Sequence, residues 1–224
     1  MKPFIEVESK FALDADDFYR LRQLGRLQQC IQQLNVYFDQ SWRLAKLSAT
    51  FRIRFTEGTD PVLTLKLPVS TQEGPRVMRE FEYKLSRDAY SQEKLRYSEF
   101  DVDRELPPEI SERLLGLGLN RLQYLGGMHN CRYIIVVENL GSIELDEVSL
   151  PDGTHYYEAE IEDADLERHR RLTEWLRSAA PNARRSHVSK FERFRTAVST
   201  SRLAKLAESV VESTRSKSNC GAPT

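Results

Sequence analysis

Charged side chains occur at every second position in several short segments of the chain, separated by apolar or small residues. The first such segment, residues 5–11, places Glu6, Glu8 and Lys10 two positions apart. Because residues two apart lie on the same face of a β-strand, these three charges are expected to point the same way. Such a face suits a hydrated cavity better than an apolar core. The same spacing recurs in Arg52 and Arg54, Thr64 and Lys66, Glu80 and Glu82, Glu144 and Asp146, and Glu158, Glu160 and Glu162.

Alternating polarity and turn residues predict about eight strands. Turn residues at 139–141 and 151–153 are of the hairpin type, so the last three strands should form an antiparallel meander. Because acids and bases share one side, the pattern predicts a mainly β (α+β) fold, an eight-stranded antiparallel closed barrel with a polar interior and flanking helices. The predicted strands cover residues 5–11, 36–39, 50–55, 62–67, 76–85, 130–137, 142–150 and 155–163, with further turns at 57–61 and 72–75.

Three helices are predicted beside these strands. Asp14 is placed to cap a helix over residues 16–34, and others are expected over 109–117, within an otherwise irregular region, and over 164–179. No long linker interrupts the pattern before the Ser-, Lys- and Arg-rich end. We therefore expect one domain over 1–195 and a helical or disordered tail over 196–224, disordered at 216–224. The apolar stripe of the first helix is Phe18, Leu21, Leu24, Leu27 and Ile31.

The composition argues against a nucleic-acid-binding, membrane-spanning or disulfide-rich protein. The chain has 224 residues, with 33 basic and 34 acidic side chains, so no global field favours nucleic acid or an anionic membrane. No apolar run approaches the roughly 20 residues of a membrane span, and no signal peptide is visible at the N-terminus. Cys30, Cys131 and Cys220 are widely spaced, which fits neither a disulfide framework nor a zinc motif. A cytoplasmic protein without nucleic-acid or membrane partners is expected.

An ordered series of motifs resembles the CYTH superfamily, also called triphosphate tunnel metalloenzymes. Glu6-x-Glu8-x-Lys10 is similar to its ExExK signature. One such motif is weak evidence, but the later motifs follow in the family's order. The length and the segment at 189–191 look most like the thiamine-triphosphatase branch. The later matches are Tyr37-Phe38-Asp39, Arg52-x-Arg54, Leu65-Lys66, Glu80-x-Glu82, Arg132, Asp146, Glu158-x-Glu160 and Ser189-Lys190-Phe191.

The resemblance implies a triphosphate tunnel that binds a small-molecule triphosphate and a divalent cation, Mg²⁺ or Mn²⁺. The protein itself is expected to be a monomer. The implied reaction is in-line attack of water on the terminal phosphorus, for which a protein supplies positioning and charge neutralisation. Thiamine triphosphate is the substrate that the branch implies. Inorganic tripolyphosphate, a class IV-type adenylate cyclase reaction on ATP, and polyphosphate binding without catalysis are the alternatives.

The basic residues are candidates for binding phosphate, and the acidic residues are candidates for binding the metal ion. A triphosphate needs several fixed cations, for which arginine provides a planar fork of donors and lysine a compact charge. Magnesium and manganese prefer carboxylate oxygens, and a bound cation would relieve the mutual repulsion of clustered carboxylates. The phosphate-binding candidates are Lys10, Arg52, Arg54, Lys66, Arg132 and Lys190, and the metal candidates are Glu6, Glu8, Asp146, Glu158 and Glu160.

Other positions are assigned less specific roles. Glu80 and Glu82 form a possible second acidic strand, which would bind a second metal, orient water or pair with the bases. Glu144 and Glu162 are expected at the rim or in solvent, because each lies at a strand end. In the vertebrate thiamine triphosphatases, a tryptophan two residues before the first arginine stacks on thiamine, whereas this chain has Thr50 there. That departure leaves triphosphate binding in place and puts thiamine specificity in question.

Overall fold

A computed structural model describes residues 4–70, 76–88, 90–96 and 98–200. The turn predicted at 72–75 and the disorder predicted at 216–224 lie outside these residues. Residues 190–200 form a final helical segment. The other elements of the described residues are β1 (Phe4–Leu13), α1 (Ala15–Leu24), β2 (Arg26–Asp39), α2 (Arg43–Lys46), β3 (Thr50–Thr56), β4 (Val62–Ser70), β5 (Arg76–Lys84), α3 (Gln92–Leu95), β6 (Glu99–Asp101), α4 (Val102–Glu105), α5 (Pro108–Gly116), β7 (Arg121–Val137), β8 (Gly141–Ser149), β9 (His155–Glu162), α6 (Leu166–Ala179) and β10 (Arg184–Ser186).

The strand pairings return to the strand from which they start. Antiparallel ladders run in the order β1, β5, β4, β3, β2, β7, β8 and β9, and β9 pairs again with β1. The first half of β1 pairs with β5, while its second half lies between β9 and the short β10. Strand β6 pairs with the start of β7. The mainly β antiparallel architecture with flanking helices is therefore confirmed, and eight strands form the ring.

The apolar core lies on the outer face of this ring. Phe51, Ile53 and Leu65 are fully buried, within a cluster that includes Leu44 of α2 and Ile110 of α5. Their neighbours Arg52 and Arg54 point the opposite way, because side chains alternate across a strand. A second outer cluster packs α1 and α6 against β1, β7, β8 and β9. The helices of these two clusters cover the ring from outside. The final helical segment instead packs Phe191, Phe194 and Val198 against the inward-facing Tyr37, Met128 and Val148.

The first helix is shorter than its apolar spacing predicts. Helix α1 ends at Leu24, and β2 begins at Arg26 and pairs with β7 along its length. Leu27 is 49% exposed, so the predicted stripe does not continue into a core. The prediction of a helix over 16–34 is wrong beyond Leu24, because pairing with β7, joined by β3 from Gln33, outweighs local periodicity there. None of the helices in the described part of the chain has the length and apolarity to cross a bilayer.

Strand β7 is longer than predicted and carries a bulge. It starts at Arg121, so Gly126 and Gly127 lie within the strand and not before it. The register shifts between Tyr37 and Phe38 of β2, opposite the extra residue Leu125 of β7. Gly126 has φ +134°, a conformation that side chains other than glycine rarely adopt, and it marks the bulge.

Gly25, which connects α1 to β2, packs closely against β7. A Cβ atom at Gly25 would overlap the Cγ2 methyl of Ile135, which is buried, and would lie 3.1 Å from the Val136 carbonyl oxygen. Gly25→Ala is expected to lower the free energy of unfolding by about 1–3 kcal/mol, the usual cost of overpacking. Urea denaturation measures the change. Gly116→Ala is the control, because a Cβ at Gly116 meets nothing within 4 Å; equal effects of both changes would contradict the clash.

Candidate active site

Inward-facing side chains of the ring enclose a charged cavity of about 270 Å³. All six predicted phosphate-binding bases line it, as do Glu8, Glu160 and the predicted second acidic pair. Asp146 and Glu158 are fully buried and contact its basic residues. The side chain of Glu6 lies outside the described atoms. The complete lining is Glu8, Lys10, Tyr37, Thr50, Arg52, Arg54, Lys66, Met78, Glu80, Glu82, Arg132, Glu144, Glu160, Glu162, Ser189, Lys190 and Phe191.

Adjacent strands bring the carboxylates together. β1 pairs with β9 in a register that sets Lys10 opposite Glu160 and Glu8 opposite Glu162, as expected from the sequence for two strands that adjoin. The pairing of β8 with β9 sets Asp146 opposite Glu158. Two overlapping groups have carboxylate oxygens within 4.8 Å of one another, close enough to share a cation. They are Glu8, Glu160 and Glu162, and Asp146, Glu158 and Glu160.

Two lysines neutralise much of this acidity from within the protein. Lys190 Nζ lies 2.7 Å from Asp146 Oδ2 and 2.8 Å from Glu160 Oε1, and it also pairs with Glu158. Lys10 Nζ lies 2.8 Å from Glu8 Oε2 and pairs with Glu160. The carboxylates therefore have partners within the protein in addition to any cation that they bind.

Burial and the neighbouring carboxylates have opposite effects on the pKa values of these two lysines. Burial alone would lower the pKa of Lys10, but the carboxylates of Glu160 and Glu8 outweigh it and raise the pKa. The same opposition raises the pKa of Lys190 well above its ordinary value, with Asp146 as its largest favourable partner. Both lysines are therefore cationic at neutral pH.

A local motif explains how Lys190 reaches this cluster. The Ser189 hydroxyl accepts a hydrogen bond from the Glu192 backbone N–H at 3.2 Å, and the Glu192 carboxylate accepts one from the Ser189 N–H at 2.7 Å. This reciprocal pair is a capping box, which starts the helical segment at Lys190. Phe191 and Phe194 anchor the segment against Tyr37, with ring centroids 5.0 and 4.8 Å away. The Ser189-Lys190-Phe191 motif thus combines a helix cap, a cation and an apolar anchor.

Arg132 joins three carboxylates across three strands. Its Nε lies 2.9 Å from Asp146 Oδ1 and its Nη2 lies 2.7 Å from Asp146 Oδ2, a bidentate pair. The same guanidinium reaches Glu160 Oε2 at 2.5 Å and pairs with Glu144. Asn130 adds a further donor to Asp146 Oδ1 at 3.0 Å. Arg132, one of the predicted phosphate-binding residues, is therefore held in place by carboxylates.

Arg52 and Arg54 have a different environment. Arg54 Nε donates to the Asn35 amide oxygen at 2.9 Å, a neutral partner. Arg52 is 8% exposed, and its Nε has no hydrogen-bond partner among the described residues. Burial and the charges of Arg52 and Arg132 lower the pKa of Arg54 to about 10. Within the described chain, neither arginine forms a salt bridge, so the pair presents uncompensated positive charge to the cavity.

The remaining predicted residues form a second wall on β4 and β5. Lys66 pairs with Glu80, which is buried. The Thr64 hydroxyl lies 3.5 Å from Glu82 Oε1, and Glu82 is exposed. Of the roles left open for these two acids, pairing with a base is observed for Glu80.

Glu144 was misplaced by the sequence reasoning. It lines the cavity and pairs with Arg132, although its position at a strand end suggested the rim or solvent. The signal was present, because Glu144 shares the parity of Asp146 on β8. Glu162 is exposed as expected, yet it also lines the cavity. Apolar members of the wall, such as Met78, carry no charge pattern and were not predicted.

The buried ion pairs predict a pH dependence of stability. Burial would raise the pKa of Asp146, but Arg132 and Lys190 outweigh it and lower the pKa from 3.8 to about 2. Because the folded pKa is depressed, the stabilisation is present above the unfolded value and is lost as pH falls through the folded value. In metal-free protein, this group should cost about 2 kcal/mol of unfolding free energy between pH 4 and 2.

Urea denaturation in chelator at several pH values measures this loss. Asp146→Asn removes the titrating group and should flatten the pH dependence between pH 4 and 2 by a similar amount. An unchanged slope in Asp146→Asn would show that the acid sensitivity arises from other carboxylates.

Solved structures with a similar fold are found in several organisms. HpAC1 from Hippeastrum, described as a candidate adenylyl cyclase with a dominant triphosphatase activity, is 24% identical, has a TM-score of 0.66 and aligns over 86% of this chain and 95% of that one. A candidate adenylate cyclase from Bacillus halodurans is 25% identical, has a TM-score of 0.66 and aligns over 87% and 99%. PH1819 from Pyrococcus horikoshii is 20% identical, has a TM-score of 0.54 and aligns over 85% and 98%.

Sequence comparison gives the family directly. No curated protein sequence matches the chain significantly. The profile of the CYTH domain matches residues 5–195, which includes every strand of the ring and the start of the final helical segment. The resemblance stated from the motifs is therefore confirmed at the level of the domain, while the thiamine-triphosphatase branch stays a prediction. The chain belongs to the CYTH domain family.

Proposed function

We propose that the protein is a metal-dependent triphosphatase that removes the terminal phosphate of a small triphosphate within its ring of strands. The observation that carries the proposal is the division of the cavity into two electrostatic halves. Within the described chain, Arg52 and Arg54 present uncompensated positive charge, whereas Asp146, Glu158 and Glu160 form a carboxylate cluster that Lys10, Lys190 and Arg132 partly neutralise. A polyanion with a bound divalent cation matches both halves.

The acidic cluster fits a divalent cation by its donor chemistry. All its groups are carboxylates, which suit Mg²⁺ and Mn²⁺, and Glu158 Oε2 is a buried oxygen without a hydrogen-bond partner. Burial raises the pKa of Glu158 despite the opposing charge of Lys190, so this carboxylate would gain from a further cation. Asp146, Glu158 and Glu160 would hold the ion, with Glu8 beside them. When bound, the metal supplies Lewis-acid polarisation of the phosphoryl oxygens.

The chain's own bases would bind and orient the substrate. Arg52 and Arg54 lie two residues apart on β3, so both forks are available to adjacent phosphoryl groups. Lys10 and Lys190 already lie at the acidic cluster, and a metal ion there would free their ammonium groups to bind phosphate oxygens. The protein's contribution is then to neutralise developing charge at fixed positions, which requires little reorganisation during the reaction.

The wall of the cavity favours inorganic tripolyphosphate over thiamine triphosphate. Thr50 lines the cavity, while the adjacent Phe51 is buried in the outer core. The aromatic side chains that line the described cavity, Tyr37 and Phe191, are 1% and 4% exposed and pack against each other. They offer no free face for a thiamine ring. A substrate without an aromatic group does not need one.

A substrate panel tests the proposal. Purified protein with Mg²⁺ or Mn²⁺ is expected to release phosphate from tripolyphosphate faster than from thiamine triphosphate or ATP, and chelator should abolish the release. Cyclic AMP is measured in the ATP reaction, because both the Hippeastrum and Bacillus relatives carry cyclase descriptions. Cyclic AMP as the main product would replace the proposal with the cyclase alternative. Salt-sensitive binding of tripolyphosphate without release would indicate a binding module.

A further inference from the structure

Two thiols meet on the outside of the ring, away from the charged cavity. Cys30 of β2 and Cys131 of β7 have their sulfur atoms 3.6 Å apart. They are diagonal neighbours, since Cys30 is registered with Tyr133 and Cys131 with Gln32. Cys30 is exposed and Cys131 is half-buried, and neither is in a disulfide. The wide sequence spacing gave no hint of this contact.

The surroundings of the two sulfur atoms are polar. The Gln32 amide Nε2 donates to Cys131 Sγ at 3.1 Å, and the guanidinium carbon of Arg22 lies 4.0 Å from the centre of the Tyr133 ring. Partial burial raises the pKa of the Cys30 thiol, as do the hydrogen bond and charge of Cys131, while Arg22 and Tyr133 oppose the shift. One thiol therefore donates a hydrogen bond to the other sulfur atom, and the raised pKa makes the Cys30 thiolate a minor form at neutral pH.

We propose that Cys30 and Cys131 are a redox site that closes to an intramolecular disulfide on reaction with a hydroperoxide. The Cys30 thiolate attacks one peroxide oxygen and the O–O bond breaks, giving a sulfenic acid and, from hydrogen peroxide, one water once the leaving oxygen is protonated. The Cys131 thiolate then attacks that sulfur, the S–O bond breaks, and the hydroxide that leaves takes up the proton released by the Cys131 thiol to form a second water, so two thiols are oxidised by two electrons while the peroxide is reduced. The sulfur atoms must approach by about 1.5 Å to reach the disulfide length.

The two cysteines lie close to Arg132, which lines the cavity, so a disulfide between β2 and β7 would act on the cavity wall. Cys131 lies between Asn130 and Arg132, and both neighbours bind Asp146 on the inner face. Cys30 precedes Ile31, which is registered with Arg132. A disulfide would tie β2 to β7 at the level of the Arg132 network. Reduction by a dithiol would release it.

The full-length protein with Cys220→Ser is the test material, because Cys220 lies outside the described residues and would confuse thiol counts. Treatment with hydrogen peroxide at low protein concentration is expected to remove both remaining free thiols. Non-reducing peptide mapping should show a bond between Cys30 and Cys131, and dithiothreitol should restore both thiols. The same treatment in urea should give little of this link, because the folded strands hold the sulfur atoms together.

Single Cys30→Ser and Cys131→Ser variants in the same background are the controls. Cys131→Ser should accumulate sulfenic acid at Cys30, trapped by dimedone, whereas Cys30→Ser should accumulate little at the half-buried Cys131. Independent oxidation of both thiols to sulfinic acids in the parent, or links only between molecules, would overturn the proposal. An equal yield of the link in urea would show that folded geometry does not favour it.

Discussion

Replacing Arg54 with glutamine is expected to lower kcat/KM for the preferred triphosphate by about 10³-fold, in the range found when a cation that stabilises a phosphoryl transition state is removed. The guanidinium is half-buried near Arg52, and within the described part of the chain its hydrogen-bond partner is the neutral Asn35 amide. Its charge is thus available to substrate and is not committed to a protein carboxylate. Phosphate release from tripolyphosphate under steady-state conditions measures the loss.

The same variant separates catalysis from folding. Because Arg54 lies near other cations and has no carboxylate partner within the described chain, Arg54→Gln should leave the free energy of unfolding unchanged or slightly higher. Arg177→Gln is the matched control, since Arg177 is exposed in the last turn of α6 and should not affect either measurement. A reduction in kcat/KM of less than tenfold would show that Arg54 does not bind the reacting phosphates.

Replacing Glu160 with glutamine is expected to reduce turnover by more than the roughly 100-fold typical of residues that only support a metal ligand. Glu160 belongs to both carboxylate groups that could share a cation, and it accepts from Lys10, Lys190 and Arg132. The apparent affinity for Mg²⁺ or Mn²⁺ should fall together with turnover. Metal titrations of phosphate release, with urea denaturation of the metal-free protein, measure both effects.

Stability should fall in this variant, unlike Arg54→Gln. Removing one partner of a buried ion pair costs about 3–5 kcal/mol, and the lower end applies here because each of the three cations keeps another carboxylate. Glu147→Gln on β8 is the control, because its side chain alternates away from that of Asp146 and does not line the cavity. Unchanged metal dependence in Glu160→Gln would contradict its place in the metal site.

Much of the site follows from strand periodicity alone. Arg52 and Arg54, Glu158 and Glu160, and Glu8 and Lys10 have spacings of two, and the ring turns each set inward. The spacing is informative because alternation is a covalent property of extended backbone and does not depend on the rest of the fold.

Features that depend on tertiary partners were missed or wrong. Residues 26–34 have apolar residues at a helical spacing, yet they extend β2 by pairing with β7, and β3 pairs with the last two of them. The internal ion pairs of Lys10 and Lys190 were also missed, because which base meets which acid depends on the strand register and the capped final helix. A contact such as Cys30 with Cys131, 101 positions apart, has no local signature.

The outward-facing residues of each strand stabilise the fold, whereas the inward-facing residues form the site. Phe51 and Ile53 pack the sheet against its helices, while the alternating Arg52 and Arg54 face the interior and take no part in that packing. Interior side chains outside the buried ion pairs, such as Arg54, are then open to replacement with little effect on the scaffold. A lineage built on this plan could change its substrate or reaction through a few inward substitutions and retain its architecture.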